Sequence, residues 1–181
     1  TFAPTGVGAI YIKEKYLKSV KPYQTGGATI NEVEFSGSTL LDSPYMFEAG
    51  TQNIAGVIGF AKALEYLNHI KYENIESIEH KVFAYLDQEL AKLPDIIFYN
   101  DISDSLGSRS FNFKGIVHDD IGILLDKMNI AVRVGHHCAQ PIMKQLGIKG
   151  TIRVSISFYT DYVDVDKLIE ALKRALSMLK D

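Results

Sequence analysis

The segment Arg133-Val134-Gly135-His136-His137-Cys138 brings a thiol, two imidazoles and a guanidinium within six residues, and Cys138 is the chain's single cysteine. The thiolate is the nucleophilic form of cysteine, and nearby cations and a helix N-terminus favour it. Pro141 is placed to open a short helix just beyond the thiol. Cys138 is therefore predicted to be a nucleophile. A buried small hydrophobe is the commoner use of a single cysteine, but a Gly-His-His setting is polar. Zinc is the other candidate occupant. Three consecutive residues converge poorly on one tetrahedral ion, and no second Cys or His pair stands at finger spacing. No metal site is expected, and His69, His80 and His118 read as surface or core histidines.

Two further segments carry chemistry. In Thr151 to Phe158 a period of two sets Ile152, Val154, Ile156 and Phe158 on one face. Arg153 then emerges from the opposite face among Thr151, Ser155 and Ser157. An exposed arginine beside a carboxylate would look the same in sequence. A guanidinium fixed among small hydroxyls is also how a carboxylate or phosphate site is built, because its planar fork reaches two oxygens. Glu48-Ala49-Gly50-Thr51 precedes a helix, and a Gly-Thr pair there offers free amides and a hydroxyl to an anion. Threonine is also common at helix starts for purely structural reasons.

The elements that must hold these residues follow from patterning. Val7–Ile12 reads as a buried strand, Lys13–Val20 as a helical turn, and residues 24–44, rich in Gly, Ser and Thr, as a loop or hairpin excursion. A helix is predicted from Asn53 to about His69, apolar round much of its surface and so expected to be well buried. A second runs from Asn74, its expected N-cap, to about Leu93, with Pro94 as a stop. Strands are predicted at Ile96–Tyr99, Ser110–Phe113, Ile130–Val134 and Thr151–Phe158, and helices at Asp119–Met128, after Pro141, and at Asp164–Leu179. Interleaved strands and helices of this kind imply an α/β or α+β layer structure. The one plausible domain boundary is Lys71 to Glu73.

Composition excludes more than it identifies. A net charge of −3, with no basic stripe and no finger motif, gives no reason to expect nucleic acid. No apolar run reaches the roughly 18–20 residues that span a bilayer, and no secretory signal opens the chain. One thiol permits no internal disulfide, which fits a cytoplasmic setting. The start on Thr1-Phe2-Ala3-Pro4-Thr5-Gly6, without Met, reads as the interior of a longer chain.

Taken in order, Ala3-Pro4-Thr5-Gly6-Val7-Gly8, Gly26-Gly27 with Ile30, Phe47 to Thr51, Arg133 to Cys138 with Pro141, and Arg153-Val154-Ser155 resemble the C-terminal part of a SufS-type cysteine desulfurase. That is a pyridoxal-phosphate enzyme of the class V aminotransferase family. Arg-x-Gly-His-His-Cys is the specific signature of this branch; the other pieces are shared more widely.

The resemblance implies part of a fold type I transferase. Residues 1–70 would be the remnant of a large cofactor-binding domain with its hairpin and long helix, exposing apolar surface. Residues 71–181 would be a small α+β domain with a mostly antiparallel sheet. Cys138 would take sulfur from L-cysteine as a persulfide, leaving L-alanine. Arg153 would grip the substrate carboxylate, with Arg133, His136 and His137 lining the cleft and no step assigned to any of the three. Gly50 and Thr51 would reach the pyridoxal 5'-phosphate of the partner subunit in a homodimer. The persulfide would pass to a SufE- or SufU-like acceptor for iron–sulfur cluster assembly. Selenocysteine lyase activity, or a non-catalytic dimerisation or acceptor-binding module, are the alternatives. The resemblance also sets the Schiff-base lysine directly before the segment matched by Thr1. Lys13 and Lys15 lie beyond the Pro-Thr-Gly turn, so the 181 residues alone are expected to be inactive. Ala3 stands for a usual glycine and Thr160 for a usual asparagine.

Overall fold

The alternation of apolar and polar residues in the second half of the chain is realised as a four-stranded sheet backed by helices. The structure, a computed structural model, describes residues 2–101 and 107–180. The chain divides into two units, Thr1–Ile70 and Lys71–Asp181.

The second unit contains β3 (Ile96–Phe98), β4 (Ser108–Phe113), β5 (Arg133–Gly135) and β6 (Thr151–Ser155), in the spatial order β3-β4-β6-β5. All three pairings are antiparallel. Along β4 burial alternates strictly, with Phe111 and Phe113 facing the core. Ile152 and Val154 of β6 lie on the same side. Against them pack α3 (Tyr72–Leu90) through Val82, Leu86 and Leu90, α4 (His118–Lys127) through Ile121 and Leu125, and α6 (Tyr162–Lys180). The stripe of α6 is Val165, Leu168, Ile169, Leu172 and Leu176, at the three- and four-residue steps that line one helix face. Arg109 of β4 also enters this core. It is 6% exposed, ion-paired to Asp87 at 2.6 Å, stacked on Phe98 and bonded to the carbonyl of Asn100. A buried guanidinium is tolerated only with such partners. Together these elements form a mixed α/β fold, as the patterning implied, with the antiparallel sheet that the resemblance implied.

The first unit holds α1 (Glu14–Leu17), the hairpin β1 (Ile30–Glu34) and β2 (Gly37–Leu40), a 3-10 turn at Tyr45–Phe47, and α2 (Ile54–Ile70). Three expectations are corrected. Val7–Ile12 forms no strand: it pairs with no strand among the described residues, and Ile10 and Tyr11 stand exposed. Helix α2 exists but is not well buried. Gly56 is its one buried residue, while Ile54, Val57, Ile58, Leu64 and Tyr66 are exposed, since no element of this unit covers that much apolar surface. The third correction lies at the start of α3, where Asn74 is not the N-cap. Lys71 takes a positive φ of 72° and turns the chain early, leaving Asn74 in the first turn with its amide on the Lys71 carbonyl.

Candidate active site

Strand β5 is short because Gly135 adopts φ +105°, a conformation that favours glycine, and this turns the chain away from the sheet. His137 (φ 53°) and Cys138 (φ 59°) then follow in the left-handed region. For residues with a Cβ this costs about 1–2 kcal/mol each, so the loop must be held by specific contacts. The Cys138 amide donates to His136 Nδ1 at 3.0 Å, and the Ala139 amide to the His136 carbonyl at 2.8 Å. His137 Nε2 lies 2.8 Å from Thr151 Oγ1 and 3.1 Å from the Thr151 carbonyl. Helix α5 (Gln140–Leu146) starts directly afterwards, with Pro141 in its first turn.

This geometry presents an exposed thiol beside a cation. Cys138 is exposed, and Arg133 Nη2 stands 3.6 Å from its Sγ. Arg153, half-buried on β6, pairs in register with Arg133 and has its Nε buried without a partner. Burial is the main cause holding the His137 pKa below its ordinary value, followed by the positive charge of Arg153. Arg133 and His118 add to the lowering, and the bond to the Thr151 backbone opposes it. The site thus brings a thiol close to Arg133, itself paired in register with Arg153, on a surface whose guanidiniums could take an anion.

Of the residues singled out from sequence, Arg133, His136, His137, Cys138 and Arg153 lie together in the second unit. The two histidines divide their work: His136 shapes the loop, and His137 fastens it to β6. The sequence shows Thr151 only as a member of the polar face of its strand, not as the partner of His137. His118, with a side chain 13% exposed, is a core histidine that also acts on His137. The signal for Thr151 was its position two residues before Arg153.

Gly50 and Thr51 lie in the first unit, where three motif segments converge. The Gly50 amide donates to the Gly27 carbonyl at 2.8 Å. Asn53 caps α2 by accepting from the Gly56 amide at 3.0 Å, and its Nδ2 donates to the Gly6 carbonyl at 3.2 Å. Among the described residues the amides of Thr51, Gln52 and Asn53 and the exposed Thr51 hydroxyl have no protein partner. Free donors ahead of a 17-residue helix fit the phosphate of a cofactor such as pyridoxal 5'-phosphate. No group of three metal-ligating side chains occurs among the described residues, and none of their helices is long and apolar enough to cross a membrane.

Comparison with known proteins shows the family. Residues 1–168 match the family model described as aminotransferase class-V. A cysteine desulfurase of Wigglesworthia glossinidia brevipalpis is 38% identical over 181 residues, covering 99% of this chain and 44% of that protein. Among solved structures, the S-sulfonic acid form of the cysteine desulfurase CsdA from Escherichia coli aligns with a TM-score of 0.90 at 38% identity. That alignment covers 97% of this chain and 44% of the other. The apo cysteine desulfurase of Thermococcus onnurineus NA1 gives 0.91 at 37% identity, with the same coverage. The chain therefore spans less than half the length of the relatives it matches.

Proposed function

The chain belongs to the class-V aminotransferase family, and from that premise we propose that it is the portion of a pyridoxal-phosphate-dependent cysteine desulfurase that carries the sulfur-accepting cysteine. The observation that carries this reading is the exposed Cys138 thiol 3.6 Å from Arg133, on a loop leaving the strand that pairs Arg133 with Arg153. The cysteine desulfurases at 37–38% identity support it.

Each residue has a task in the proposed reaction. Arg153 binds the carboxylate of L-cysteine through its guanidinium fork, and Arg133 keeps cationic charge beside the reacting sulfur. The Cys138 sulfur attacks the substrate sulfur. A sulfur–sulfur bond forms, the carbon–sulfur bond breaks with its electron pair left on the amino-acid carbon, and the proton surrendered by the Cys138 thiol balances that carbon as the methyl of L-alanine. Pyridoxal 5'-phosphate supplies the electron withdrawal that lets that carbon carry charge. Gly50 and Thr51 would hold its phosphate, contributed to the partner subunit of a homodimer. The persulfide on Cys138 would pass to a SufE- or SufU-like acceptor for iron–sulfur cluster assembly in the cytoplasm.

The intact protein should form alanine from L-cysteine in the presence of pyridoxal phosphate and a reductant, and Cys138→Ala should abolish it. Full activity in Cys138→Ala would end this reading. Parallel kinetics with L-selenocysteine separate desulfurase from selenocysteine lyase.

A further inference from the structure

We propose that Thr151 is a positioning residue for the Cys138 loop, gripping His137 through its Nε2 and so fixing the two left-handed residues that present the thiol. The inference rests on the reading of Cys138 as the persulfide-forming cysteine.

The Thr151 carbonyl can only accept, and it lies 3.1 Å from His137 Nε2. The proton of His137 therefore sits on Nε2, where the Thr151 hydroxyl at 2.8 Å shares it. That tautomer leaves Nδ1 as a bare lone pair, and Nδ1 is buried with no partner. One ring edge thus bears the whole anchorage.

Thr151 is itself rigidly placed. It is 1% exposed and sits in register opposite Gly135, where the chain leaves the sheet. Its neighbour Gly150 gives its carbonyl to Asn112 Nδ2 at 2.9 Å. A Cβ on Gly150 would stand 2.7 Å from the Gly135 carbonyl carbon, so glycine is what lets the two backbones approach. Contacts therefore run from β4 through Asn112, Gly150 and Thr151 to His137. The bonds made by His136 are internal to the loop; they shape it without tying it to the sheet. Among the described residues, the two contacts of His137 Nε2 with Thr151, to its hydroxyl and to its carbonyl, are the side-chain hydrogen bonds that join residues 136–139 to β6. Left-handed residues with side chains persist only where the surroundings over-determine them.

The test is site-resolved alkylation of Cys138 by iodoacetamide in the intact protein, read by peptide mass spectrometry beside desulfurase turnover. Thr151→Val keeps the shape and removes the hydroxyl. It should slow alkylation at least about threefold, as the loop drifts from the left-handed geometry that presents the exposed Cys138 sulfur beside Arg133. Thr151→Ser should stay within about twofold of wild type, and Thr151→Val with His137→Phe should be no slower than either alone, as coupled residues behave. A wild-type rate in Thr151→Val, a Ser variant as slow as Val, or multiplicative effects would overturn the proposal. Should Thr151→Val fail to fold, His137→Phe, which leaves the strand intact, carries the same expectation against Thr151→Ser. If the wild-type protein makes no alanine from L-cysteine, the proposed function fails while the alkylation pattern still decides on Thr151.

Discussion

Arg133 and Arg153 are direct cross-strand partners in the β5–β6 ladder. Like charges placed so oppose pairing, and no carboxylate forms an ion pair with either among the described residues. The pair is a cost to the sheet that an anion bound there, as proposed for the substrate carboxylate, would relieve. Arg153→Met should therefore raise KM for L-cysteine about ten- to a hundredfold, the equivalent of a charge-assisted hydrogen bond of about 1.5–3 kcal/mol. The melting temperature should hold or rise. A fall in melting temperature with KM unchanged would assign Arg153 to the fold instead.

Gly150 makes the loop geometry possible by having no side chain. A Cβ there would lie 2.5 Å from His118 Nε2 and 2.7 Å from the Gly135 carbonyl carbon. Gly150→Ala should cost about 1–3 kcal/mol, the usual penalty of overpacking, read as a lowered urea midpoint. Adding His118→Ala should not restore it, because the overlap with the Gly135 backbone remains.

How far these features were legible depends on their range along the chain. The stripe of α6 and the alternation in β6 are local periodicities, and the core positions followed from them. Cys138, Arg133 and Arg153 were legible as residue types in polar settings. The grip of Thr151 on His137 was not, because it joins residues 14 apart and needs the β5–β6 register to be known. The buried Arg109 is a similar case: its partner Asp87 sits on another element. Val7–Ile12 shows the opposite failure. Its composition suits a strand, but a strand needs a neighbour, and among the described residues β1 and β2 of this unit pair only with each other.

Tyr85 on α3 ties that helix to α6 by donating to Asp166 Oδ1 at 2.7 Å. This bond, reinforced by partial desolvation and by the charges of Asp166 and Glu89, pushes its pKa up to about 12. Spectroscopic titration should show one tyrosine ionising last, and Asp166→Asn should return it toward the ordinary value of about 10. The sign follows from linkage. Between about pH 10 and pH 12 the unfolded chain has lost this proton and the folded chain has kept it, so stability falls through that window. Asp166→Asn should flatten the decline.

His137 makes a prediction at the other end of the scale. Its pKa is held below the ordinary 6.5, by burial first and then by Arg153, with Arg133 and His118 adding to it. The charged groups that act on it come from three elements: Arg153 from β6, Arg133 from β5 and His118 from α4. Above about pH 6.5 the ring is neutral whether the chain is folded or not, and its environment carries no penalty. As pH falls below that value the unfolded chain takes up a proton that the folded ring refuses, so stability declines. The decline ends once pH has passed the lower folded value and both states are protonated. His137→Gln removes this proton uptake. Melting temperatures measured from pH 8 to pH 4.5 should therefore fall more steeply for wild type than for His137→Gln, with the two curves diverging below about pH 6.5. Parallel curves would mean that His137 is protonated as readily in the fold as outside it, and that the cationic surroundings of the Cys138 loop do not act on its ring.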